Sequence, residues 1–158
     1  MATGTELAAL FEQSNADMIT AVEKLNDEQW MKPSPEGWTV GVAAHHVAES
    51  QGALTGMVTA IATGQTLPPF TMEMLNQGNA EHAQRASGCT RDETLQLLKE
   101  TGEKAADMLR GLTDEQLART TPMPLMGGTE MSAEQVVEGI LLGHIAGHLD
   151  GVKAAAGD

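Results

Sequence analysis

The sequence predicts an all-α protein built as a four-helix bundle. Four long stretches repeat apolar residues at steps of three and four, the period of a helix with one buried face. Three of them open on a Ser/Thr-x-x-Glu/Gln pattern, in which the two side chains can cap the first free backbone N–H groups of a helix. No stretch alternates apolar and polar residues as a half-buried strand would, so no β-strand is expected.

The first helix runs from about Thr5 to Leu25, opened by Thr3-x-x-Glu6, with Leu7, Phe11, Met18, Val22 and Leu25 on one stripe. The second runs from about Thr39 to Thr63 through Val40, Ala44, Val47, Leu54, Val58 and Ile61, with Gly64 as its stop. The third opens at Thr90-x-x-Glu93 and carries the clearest seam, Leu95, Leu98, Gly102, Ala105, Leu109 and Leu112. The fourth opens at Ser132-x-x-Gln135, and its stripe runs Ala133, Val137, Ile140, His144, His148, Gly151 and Ala155.

Between the second and third helices, Pro68-Pro69 interrupts the chain and a short helix over Met72 to Arg85 completes a crossover. The Pro/Gly stretches at 33–37 and 122–128 read as loops. "KLNDEQW" at 24–30 and "GLTDEQL" at 111–117 echo one another, each closing a long helix ahead of a loop and a new helix. The chain thus reads as two helix–loop–helix pairs joined by the crossover. Its 158 residues suit one domain over 1–158.

Acidic residues outnumber basic ones 22 to 9, for a formal charge of −13. A surface with that field repels nucleic acid and anionic lipid, and the basic residues are scattered singly. No apolar run reaches the roughly 20 residues of a membrane span. The N-terminus lacks the basic start and apolar stretch of a signal peptide, so a cytoplasmic protein is expected. Cys89 is the only cysteine and cannot cross-link its own chain, which fits a reducing compartment. Its place ahead of a helix start allows an activated thiolate, although an inert thiol is the simpler expectation.

In "GHIAGHLDG", residues 143–151, His144 and His148 sit one turn apart on the stripe expected to face the core. Two imidazoles so placed can both aim a lone pair at one ion. "AAHHVAES", residues 43–50, adds His45 and His46 on the second helix, and spacing does not choose between them. Glu49 is a candidate fourth ligand or hydrogen-bond acceptor. His82, on the crossover helix, is expected at the surface.

The run "EGWTVGVAAHHVAES", followed about a hundred residues later by "HIAGHLDGV", resembles the DinB-like superfamily of four-helix-bundle metalloproteins. Its members include low-molecular-weight-thiol S-transferases and a mycothiol-dependent maleylpyruvate isomerase. The family opens its second helix with Trp and Ser or Thr and places a metal-binding His eight residues after the Trp. The resemblance therefore implies His46, which lies eight residues after Trp38, together with His144 and His148. "NQGNAEHAQ" is similar to the family's crossover. Where the family often has Gly-Gln after the last His and one further residue, this chain has Asp150-Gly151.

Three protein ligands leave an open position on an ion, the arrangement of a catalytic metal. The expected ion is Zn or Ni, with Fe or Mn also suited to three imidazoles. Such an ion lowers the pKa of a bound water or thiol. The expected activity is metal-dependent transfer of a small thiol to an electrophilic substrate. The alternatives are hydrolysis or isomerisation at the same ion, or a non-catalytic metal- or ligand-binding bundle. The chain has no Tyr, so Glu49, Asp150, His45 or water would supply acid–base catalysis. Met57, Met123, Met126 and Met131 are candidate pocket-lining residues. Gly139, Gly143, Gly147 and Gly151 recur every four residues, a ridge suited to close packing inside the bundle or to the seam of a homodimer.

Overall fold

The computed structural model describes residues 1–157. The long helices are α1 (Gly4–Lys24), α3 (Val40–Ala62) and α5 (Arg91–Arg110), with single-turn helices α2 (Asp27–Trp30) and α6 (Asp114–Leu117) and the crossover helix α4 (Met72–Arg85). An antiparallel hairpin of β1 (Thr120–Met123) and β2 (Thr129–Ser132) leads into the last helical run. That run comprises α7 (Ala133–Val136), a π-helical segment (Val137–Leu142) and α8 (Gly143–Ala156).

The capping patterns act as such. Thr3, Thr90 and Ser132 each accept the N3 backbone N–H, and the N3 side chain returns a bond to the cap. The echoed motifs differ from expectation. Rather than closing the long helices, Asn26 and Thr113 start new capping boxes, so each motif forms a separate turn that buries its last residue, Trp30 or Leu117.

Around the bundle the order is α1, α5, α3, α8, so α1 and α3 lie diagonally opposite although they are consecutive long helices. Gly4 meets the carbonyls of Leu109 and Leu112, which sets α1 antiparallel to α5. Ala2 N–H donates to Glu134 and Gln29 donates to the Ala156 carbonyl, so α1 runs parallel to the last helix. Phe11, Met18, Val47, Ile61, Leu98, Leu109, Leu141 and Ile145 fill the space between them and are fully buried. A polar ladder crosses this core. Thr101 Oγ1 donates to Gln51 Oε1 at 2.8 Å, Gln51 Nε2 to Asn15 Oδ1 at 2.7 Å, and Asn15 Nδ2 to the Leu98 carbonyl at 3.1 Å. Each member is satisfied, as buried amides must be.

Three further expectations need correction. First, residues 120–132 hold a hairpin where no strand was expected and 122–128 read as a loop. Each strand has only four residues; β1 buries Thr121 and Met123 between exposed Thr120 and Pro122, and β2 buries none, so the sequence holds too few apolar residues for the alternation to be read. Left-handed Gly127 (φ 63°) and Gly128 (φ 80°) turn the chain between the strands.

Second, the last helix is not uniform. Its wider π turns shift the phase of the buried face. Val136, Val137, Leu141, Ile145 and Val152 face the core, while Ile140, His144 and His148 are half-buried on its flank. Third, the glycine ridge is not packed inside the bundle. A Cβ at Gly139, Gly143 or Gly147 would meet nothing within 4 Å, and only Gly151 lies against Pro35. Among the described residues, no helix is long and apolar enough to cross a membrane.

Gly41 marks where α3 meets α2. A Cβ there would clash with the indole of Trp30, whose Nε1 donates to the Cys89 carbonyl at 3.1 Å. Gly41→Ala should therefore lower stability by about 1–3 kcal/mol through overpacking. Gly52→Ala, with open space around it, should raise stability by up to about 1 kcal/mol from helix propensity. Chemical denaturation of the two variants measures the contrast.

Candidate metal centre

Thr39 caps α3 by accepting from the Val42 N–H, and the loop before it is pinned on both sides. Ser34 N–H donates to the Trp38 carbonyl at 2.7 Å, and Val40 N–H to the Lys32 carbonyl at 2.8 Å. Gly37, at φ 84°, makes the turn between Glu36 and Trp38. The loop therefore holds both side chains beside the second turn of α3, where His46 faces α8.

His46, His144 and His148 come together there, each offering a nitrogen within 4.8 Å of the others. His46 Nε2 and His144 Nε2 stand 3.0 Å apart. The ring centroids are separated by 4.7 to 5.2 Å and the planes cross at 62° to 72°, so the rings meet edge to face without stacking. Trp38 packs edge-on to His46 at 5.3 Å. His148 Nδ1 donates to Glu36 Oε1 at 2.8 Å, which leaves its Nε2 for the cluster. A carboxylate that fixes the tautomer of a ligating histidine is a common support for a metal. His46 Nδ1 has a long 3.5 Å contact with Ser50, and His144 Nδ1 is buried without a partner among the described residues.

Burial is the largest force on these rings, followed by the charge each would place on the next. Together they lower His46 to about 3, with His144, His148 and His82 opposing its protonation. His144 falls to about 4 for the same reasons, burial first and His148 second. Both rings are therefore neutral near pH 7 and present lone pairs. One proton can bridge only one pair of the three nitrogens, whereas a cation accepts from all three. The donor set thus fits a divalent ion. Burial raises the Glu36 carboxyl, but the nearby Ser34 hydroxyl, its own backbone and His148 hold it below the usual carboxylate range, although Ser34 Oγ makes no hydrogen bond of full geometry among the described residues.

A cavity of about 1080 Å³ opens beside the three histidines. Met57, Met123 and Met126 line it as expected, but Met131 does not. Glu36 and Trp38 also line it, as do Leu75 and Asn79 from α4. Sequence reasoning did not pick out Glu36: it precedes the Gly37-Trp38 pair in an ordinary loop, and nothing in its spacing points to His148.

The other sequence candidates lie elsewhere. Asp150 is exposed on α8 and does not line the cavity. Glu49 does not reach the three histidines; its Oε1 accepts from Arg85 at 2.9 Å and its Oε2 lies 3.8 Å from His82 Nε2. His45 Nδ1 meets His82 Nε2 at 2.9 Å, with ring planes 25° apart. His82 is buried, at 4% exposure, contrary to the surface position expected, because α4 folds back on α3 and no other residue of α4 is buried. His45, Glu49 and His82 form a second group whose donor atoms lie within 4.8 Å of one another. Burial pushes the Cys89 thiol up, so the activated-thiolate option is not favoured.

Residues 10–150 match the family described as the DinB superfamily. Among solved structures the fold is similar to YfiT from Bacillus subtilis, described as a probable metal-dependent hydrolase with an unusual four-helix bundle topology. The TM-score is 0.76 at 22% identity, covering 96% of this chain and 85% of that one. It is also similar to a mycothiol-dependent maleylpyruvate isomerase, with a TM-score of 0.73 at 16% identity, covering 96% of this chain but 63% of that one. No curated protein matches the sequence.

Two outcomes are expected from this geometry. Glu36→Ala should weaken metal affinity by roughly 10–100-fold, read by competition with a chromogenic chelator. Unchanged affinity would remove Glu36 from the site. In chelated protein, His46 and His144 bind protons near pH 6.5 when unfolded but only near 3 and 4 when folded. The unfolded chain then holds more protons between those values, so stability is greatest above about pH 6.5 and falls as the pH drops toward 4. Denaturation midpoints at pH 7 and 5 check the direction, and His46→Gln should reduce the drop.

Proposed function

The chain belongs to the DinB superfamily, and we propose that it is a metal-dependent transferase acting on a small thiol and an electrophilic substrate. In this reading His46, His144 and His148 hold one divalent ion, Zn or Ni, with Fe or Mn also compatible with three imidazoles. The observation that carries it is the convergence of three imidazoles on the wall of a cavity of about 1080 Å³. A metal held by three side chains and facing open space suits catalysis better than structure.

When bound, such an ion supplies Lewis acidity that makes a nucleophile available from a thiol or water near neutral pH. The chain's own residues prepare the site. Glu36 fixes the ring of His148 through Nδ1. Because Glu36 stays ionised, it orients that ring and does not cycle protons. Trp38 closes one side of His46 and limits water there. Cys89 lies away from the cavity lining, so the attacking sulfur comes from a separate molecule.

A thiol is favoured because one of the similar folds is mycothiol-dependent, and hydrolysis is the second reading because another is described as a probable hydrolase. The two are separated by one assay. Protein loaded with each metal should speed the conjugation of a small thiol to monochlorobimane, and His144→Ala should lose at least tenfold of that rate. Cleavage of a p-nitrophenyl ester without thiol, and no conjugation, would favour water as the nucleophile. No turnover in either arm would favour a non-catalytic bundle.

A further inference from the structure

We infer that the electrophilic substrate is an uncharged molecule carrying a long unbranched apolar chain, which lies along α3 from His46 toward the β1–β2 hairpin. This deepens the proposed function, since it takes the three histidines as the reacting end. His46, Ser50, Leu54, Met57 and Ala60 all line the cavity, at steps of three and four on one face of α3. At about 1.5 Å per residue, that stretch makes a trough roughly 20 Å long. Leu75 of α4 lines the trough as well, as do Met123 and Met126 of the hairpin.

The lining chemistry narrows the occupant. Beyond the histidines and Glu36, its polar members are the neutral Ser50, Asn76 and Asn79, and no lysine or arginine lines it. An anionic group along the chain would lose its hydration and find no counter-ion. The formal charge of −13 opposes anions further. Phe70, Leu125 and Met126 line the trough and yet are 38%, 38% and 51% exposed. Met72 and Met74, beside Phe70 in sequence, are exposed as well. Grouped apolar exposure marks a surface that another molecule covers, and here Phe70, Leu125 and Met126 border the cavity itself, which favours a ligand within it. Methionines, which adapt to flexible ligands, suit a chain better than a rigid ring.

The test uses Nile red, an uncharged apolar dye, bound to the full-length protein both metal-loaded and chelated. Hexan-1-ol, decan-1-ol, dodecan-1-ol and decanedioic acid are then used to displace it. Burial of a methylene gives at most about fourfold in affinity, so dodecan-1-ol should displace the dye at least tenfold more tightly than hexan-1-ol. Decanedioic acid should be at least tenfold weaker than decan-1-ol. Met57→Asn should flatten the chain-length dependence while leaving metal content unchanged. A flat series in the wild type, or equal displacement by the diacid, overturns the inference. Steep chain dependence in the chelated protein together with no thiol conjugation when loaded would support the trough and count against the transferase reading alone. Conjugation with a flat series would do the reverse.

Discussion

Three imidazoles share one partly buried corner, and two of them, His46 and His144, stay uncharged there. A second proton on either of these two would be set against its neighbours with little water to screen it. Burial at the α3–α8 contact enforces neutrality by lowering His46 and His144 far below their ordinary value. The same neutrality exposes the lone pairs that make the group a candidate ligand set. Glu36 supports this arrangement from outside the cluster. Its carboxylate accepts a hydrogen bond from His148 Nδ1.

That corner exists because the rest of the bundle is locked in register. The ladder Thr101–Gln51–Asn15 ties α5, α3 and α1 together through the core. Gly102 admits Asn15, since a Cβ there would clash with its Nδ2. Gly41 likewise admits Trp30, which anchors α2 at the start of the loop that carries Glu36 and Trp38. These are close approaches that a larger residue would block, so small changes in the core would propagate to the loop. The π segment contributes from the other side. It keeps Leu141 and Ile145 in the core and leaves His144 and His148 on the flank, open to the cavity.

The cavity wall formed by α4 is held differently. With His82 as its one buried residue, this helix docks through polar contacts in place of an apolar seam, its His82 and Arg85 meeting His45 and Glu49 of α3. A helix held by few apolar contacts opens at lower free-energy cost than the core helices. The wall beside the trough is therefore the part of the bundle best suited to adjust to an occupant.

Local physics made much of this legible in the sequence. Helix period, capping hydroxyls and the Pro68-Pro69 break act between residues close in the chain, and so the long helices and the crossover helix Met72–Arg85 fall where the pattern puts them. The H-x-x-x-H spacing on the last helix is likewise a local fact, and it put His144 and His148 on one side. Resemblance, not spacing, points to His46 over His45; in the fold His46 turns to α8 and His45 to α4. What the tertiary structure decided depends on partners far apart in sequence. Glu36 reaches His148 across 112 residues, His82 is buried only because α4 folds back on α3, and Glu49 is taken up by Arg85. The hairpin and the π segment also belong to this second group. A four-residue strand and a widened helical turn have almost no period of their own, and only packing against the bundle selects them.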